Sequence, residues 1–77
     1  MDVIKMLDQK GCFIRSLESA LLEDQKNNCL ENIEFECDLE NQEEFILIKF
    51  TGGGKKRICV TANSNGANAK AILEAIY

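Results

Sequence analysis

A chain of 77 residues with a formal net charge of −4 and no histidine has room for one domain, residues 1–77, and for no second core. The acidity speaks against direct nucleic-acid binding, which needs clustered Lys and Arg against phosphates. The lack of histidine removes the usual activating base for a nucleophile and the usual partner of cysteine in a mixed metal site. No run approaches the roughly 18 apolar residues of a membrane span. The opening Met1-Asp2-Val3-Ile4-Lys5 has no signal-peptide pattern, so a cytoplasmic setting is expected.

Residues 2–26 read as one helix. Asp2 is a candidate N-cap. Val3, Met6, Leu7, Phe13, Ile14, Leu17, Ala20 and Leu21 fall on one wide stripe, with Asp8, Arg15, Glu18 and Lys26 on the other side. Gly11 costs a helix about 1 kcal/mol relative to alanine and leaves open a short first helix ending there, with a second starting at a Ser16 cap; the stripe keeps its phase across Gly11, which favours one helix, straight or bent. Asn27-Asn28 suits the helix end, because asparagine tolerates the left-handed conformation used there. Residues 29–32 read as a connector.

Strands follow. Ile33 to Glu40 alternates apolar and acidic residues without a break. Period two puts Ile33, Phe35, Cys37 and Leu39 toward a core and Glu34, Glu36, Asp38 and Glu40 on the opposite face. Asn41-Gln42 reads as a short turn. The next strand, 44–51, is apolar on both sides, as suits a central strand, and Ile46, Ile48 and Phe50 are expected to face the helices. Gly52-Gly53-Gly54 reads as a second turn, where glycine supplies positive φ. It is not a phosphate loop: Arg57 stands where a hydroxyl residue would be, and a strand follows instead of a helix. The third strand is 55–62, with Ile58, Val60 and Ala62 inward. After the capping-rich loop 63–66, a last helix over 67–76 has Ala69, Ile72, Leu73 and Ile76 as its inward stripe. The expected fold is therefore α+β, in the order α-β-β-β-α. Its sheet is a three-stranded antiparallel meander with the N- and C-terminal helices packed mainly on one face.

The four cysteines, at 12, 29, 37 and 59, form no CxxC pair, so they read as free thiols with no metal and no cofactor. No catalytic constellation is present, and a non-enzymatic role is expected. The charge layout is the distinctive feature. No cation lies between Lys26 and Lys49, while Glu31, Glu34, Glu36, Asp38, Glu40, Glu43 and Glu44 fall in that stretch. Phe45 and Leu47 are expected to point outward beside the acidic row. The outer face then runs acidic, apolar, basic across the three strands, and apolar residues rimmed by charge mark partner surfaces. The candidate partner-binding set is Glu34, Glu36, Asp38, Glu40, Glu43, Glu44, Phe45 and Leu47.

The element order resembles that of the double-stranded RNA-binding domain. That family carries a lysine cluster at the start of its last helix, where this chain has Asn63, Ser64, Asn65, Gly66, Ala67 and Asn68, with only Lys70 beyond. The resemblance thus implies topology and not RNA binding. In size, acidity and layout, through Glu34, Glu36, Asp38, Glu40, the hairpin to Phe50 and Gly54 and the short last helix, the chain resembles the small inhibitors made by phages and mobile elements, including some anti-CRISPR proteins. That resemblance implies an inhibitor or regulator that mimics nucleic acid and engages a basic, nucleic-acid-binding target protein in the host cytoplasm, with no cofactor. The reading from another class is a self-associating module, a homodimer that pairs through Phe45 and Leu47.

Overall fold

The computed structural model describes residues 3–24 and 29–77; the expected caps at Asp2 and at Asn27-Asn28, and Lys26, lie outside the described residues. The order is α1 (Val3–Glu23), β1 (Leu30–Asp38), β2 (Glu43–Phe50), β3 (Lys55–Cys59) and α2 (Asn65–Ile76). The three strands form one antiparallel sheet in the order β1-β2-β3, so the fold is the expected α+β meander with a helix at each end.

Helix α1 runs unbroken through Gly11. A Cβ built there would meet only Phe35 Cδ2, at 4.0 Å, so close packing does not demand the glycine. The helix buries Ile14 and Leu21, and Leu7, Phe13 and Leu17 are half-buried beside them. Met6 and Ala20, expected on this stripe, are exposed. Helix α2 starts at Asn65, two residues before the expected point. Ser64 is its N-cap and accepts a hydrogen bond from the Ala67 N–H at 3.2 Å.

Both helices cover the same side of the sheet. The core combines Ile14 and Leu21 of α1, Leu30 and Ile33 of β1, Ile46 and Ile48 of β2, Val60, and Ile72 of α2, with Phe35, Phe50, Ile58, Ala75 and Ile76 packed against it. Every sheet residue in this set belongs to the inner face of the register, in which Ile33 pairs with Ile48 and Phe35 with Ile46, which itself pairs with Ile58. No helix among the described residues is long and apolar enough to cross a membrane.

Several expectations are corrected. The connector at 29–32 is already strand from Leu30, which is fully buried, and a bulge between Leu30 and Asn32 absorbs the extra residue. Cys37 is exposed because α1 packs over Ile33 and Phe35 and leaves Cys37 at an open rim. Leu39 is 62% exposed. The strand ends at Asp38, whose Oδ1 accepts the Glu40 and Asn41 N–H groups at 3.1 and 3.2 Å and turns the chain outward. The turn therefore spans 39–42, with Gln42 at φ 55°. The third strand stops at Cys59, and Ala62, expected inward, is exposed at φ 65°. In α2 the buried stripe is Asn68 and Ile72, and Leu73 is 39% exposed. Glu18, placed on the solvated side of α1, is half-buried and accepts the Ile33 N–H at 2.6 Å.

Candidate protein-binding surface

With both helices on one side, the other face of the sheet is left uncovered. Its rows follow from the register: Asn32–Lys49–Lys55, then Glu34–Leu47–Arg57, then Glu36–Phe45–Cys59, then Asp38–Glu43. Phe45 and Leu47 stand in its middle, half-buried by their neighbours. The Arg57 guanidinium lies over the Phe45 ring at 3.9 Å from its centre and reaches Glu36 Oε2 at 3.7 Å. Lys49 approaches Glu34 Oε1 at 3.6 Å. A sheet brings cations from β2 and β3 beside the carboxylates of β1, which linear spacing could not show.

The expected row of four carboxylates is thus divided. Glu34 and Glu36 are neutralised across the sheet, while Glu40 belongs to the turn. Asp38 belongs to the row by position, but Asn41 engages its side chain, with Nδ2 donating to Oδ2 at 2.7 Å. That side-chain bond, joined by the backbone donors of Asn41 and Glu40, holds the Asp38 carboxyl below its ordinary value near 3.8. A lowered carboxyl stabilises the folded state above the ordinary value, and the contribution disappears as pH falls through the lowered one.

Glu44 is not on the outer face. Period two places it inward, where its Oε1 accepts from Lys10 Nζ at 2.7 Å with both side chains nearly buried. Its Oε2 accepts the Ala62 N–H at 3.2 Å, its N–H donates to Thr61 Oγ1 at 3.0 Å, and its carbonyl accepts the Val60 N–H at 2.9 Å. Glu44 therefore joins α1, β2 and the end of β3. Lys10 was missed; the signal was its place on the apolar stripe between Leu7 and Ile14, which marks it as buried but does not name Glu44 as its partner.

Of the seven acidic residues between Lys26 and Lys49, Glu31, Asp38, Glu40 and Glu43 have no cation in ion-pair range among the described residues, and the last three cluster at the β1–β2 hairpin end. Leu39 projects among them, and Met6 of α1 is 36% exposed nearby. A notch of about 320 Å³ opens beside them, lined by Met6, Leu7, Cys37, Leu39 and Gln42 with Asp38, Glu43 and Glu44. Leu39 and Met6 were missed as surface residues because their periodicity matched a core stripe. A second groove, of about 480 Å³, runs between α1 and β1 past Gly11, Phe35 and Cys37.

The thiols differ. Burial, then the Glu44 charge, push the Cys37 thiol up. A hydrogen bond with the Thr61 hydroxyl, Sγ to Oγ1 3.4 Å, pulls the Cys59 thiol down. No group of three or more potential metal ligands occurs among the described residues. No family model, curated protein or solved structure matches this chain.

Proposed function

We propose that this protein is a non-enzymatic regulator or inhibitor that binds a basic protein through its β1–β2 hairpin end. The observation that carries the reading is the cluster of Asp38, Glu40 and Glu43 around the 62% exposed Leu39, with no cation in ion-pair range among the described residues. Such a patch offers an apolar anchor inside an acidic rim, the arrangement that fits a basic surface carrying an apolar side chain. Asp38 is held in place by Asn41, so part of the negative charge is oriented before any partner arrives. The resemblance to phage-made inhibitors implies a nucleic-acid-binding target, CRISPR effectors among the class. A surface built to hold phosphates supplies the cations this end lacks.

The test compares wild type with Leu39→Lys/Glu40→Lys as baits for affinity capture, followed by binding measurements on whatever basic protein wild type retains. The double variant is expected to weaken that complex roughly tenfold or more, and wild-type binding is expected to fall as salt rises. Equal binding by both proteins, or a retained partner whose contact surface is acidic, would remove the hairpin end from the mechanism.

A further inference from the structure

The uncovered sheet face adjoins the hairpin end, sharing Asp38 and Glu43 with it, and has its own electrical order. One end of it is basic, with Lys49, Lys55 and Arg57; the other is acidic, with Asp38 and Glu43; Leu47 and Phe45 lie between. We infer that the occupant of this face is a second copy of the same chain, stacked face to face with its strands running in the opposite direction.

The argument is one of self-complementarity. A two-fold axis across the strands, midway between Leu47 and Phe45, lays Leu47 of one copy over Phe45 of the other. The same axis lays Lys49 over Glu43, so the basic end of each face meets the acidic end of its mate, as an isologous contact requires. The two glutamates of β1 would meet each other in this arrangement, Glu34 over Glu36. Their pairing within each copy, to Lys49 at 3.6 Å and Arg57 at 3.7 Å, is what removes that repulsion. Facing sheets sit about 10 Å apart, a gap that Phe45 and Leu47 can fill.

The area sets the strength. Three strands about 4.8 Å apart and about eight residues long give a footprint of roughly 350 Å² per copy. Two such footprints fall short of the ~1,200 Å² at which stable interfaces begin. The pairing is therefore reversible and concentration-dependent, with a dissociation constant of roughly tens to hundreds of micromolar.

Sedimentation velocity reads the result. Wild type is expected to shift from monomer toward dimer between about 10 µM and about 500 µM, concentrations that bracket that dissociation constant. Glu43→Lys and Lys49→Glu should each stay monomeric, because each then sets like charges opposite one another. An equimolar mixture of the two should associate again, since every clash becomes a pair, and a folding defect cannot produce that rescue. Wild type that stays monomeric throughout overturns the inference. So does a mixture that stays monomeric, or single variants that associate like wild type. Glu43 also belongs to the hairpin-end patch, so that reading is judged by Leu39→Lys/Glu40→Lys, which leaves the Glu43 and Lys49 contact untouched, and the two readings fail separately.

Discussion

Alternate residues of the same strands meet two very different surroundings, and Glu36 and Glu44 show the contrast best. Both are glutamates within ion-pair range of a cation. Glu36 is half-exposed and faces Arg57 at 3.7 Å on the open side. Glu44 is 13% exposed in its side chain and holds Lys10 at 2.7 Å on the covered side. Exposed pairs contribute about 0–1 kcal/mol because water screens them. A buried carboxylate that loses its partner costs several times more. The two faces therefore divide the labour: the inner one holds the fold together, and the outer one can change its charges at little cost.

The largest effect should come from breaking the covered pair on one side only. Lys10→Met is expected to cost about 3–5 kcal/mol in urea denaturation, because Glu44 is left buried without a counter-charge. Lys10→Met with Glu44→Gln should recover much of that loss, since the amide can still accept the Ala62 N–H. A single variant within 1 kcal/mol of wild type, on the scale set for exposed pairs, would mean that water already reaches the pair. Next comes Ile48→Ala at the fully buried centre of β2, expected to cost roughly 2–5 kcal/mol by the same measurement. On the open face, Arg57→Ala removes both the contact over Phe45 and the Glu36 pair and should cost only about 1 kcal/mol; a loss as large as that of Ile48→Ala would erase the contrast. The smallest change is chemical. At a pH near 8, Cys59 should be alkylated faster than Cys37 in mass-spectrometric time courses, because the thiolate is the reacting form and the two thiols are shifted in opposite directions.

The sequence carried the sheet well because period-two alternation is a direct reading of the pleat: Ile33, Ile46, Ile48 and Val60 are buried as expected. It favoured one helix over 2–26 while leaving two open, and α1 is unbroken because a stripe in phase across Gly11 outweighs one weak position. It misled where a strand stops. Asp38 bonds to the backbone beyond it, and that local bond ends an alternation that otherwise continues to Glu40. It misled again wherever charge has to be counted across strands. Lys49 and Arg57 are distant in sequence from Glu34 and Glu36 yet share their face, so the carboxylate row looked bare in one dimension and is half neutralised in three. The acidic cluster without a paired cation, Asp38, Glu40 and Glu43, straddles the turn; the alternation singled out its first two members but not their grouping there. Lys10 and Asn68 show a third limit: polar residues standing in an apolar stripe are buried with it, Lys10 with Glu44 and Asn68 fully enclosed.

One hydrogen bond at the rim of the sheet bears on strand addition between copies of this chain. The two free edges carry opposite charge, with Glu31, Glu34, Glu36 and Asp38 on β1 and Lys55, Lys56 and Arg57 on β3. Edges of opposite sign attract, and strand addition from one copy to the next, head to tail, never closes on itself. Such growth needs open backbone donors along β1. The carboxylate of Glu18 reaches over from α1 and takes the Ile33 N–H at 2.6 Å, so a ladder templated there starts with a donor already spent. A helix residue thus removes one of the backbone donors that strand addition along β1 would use.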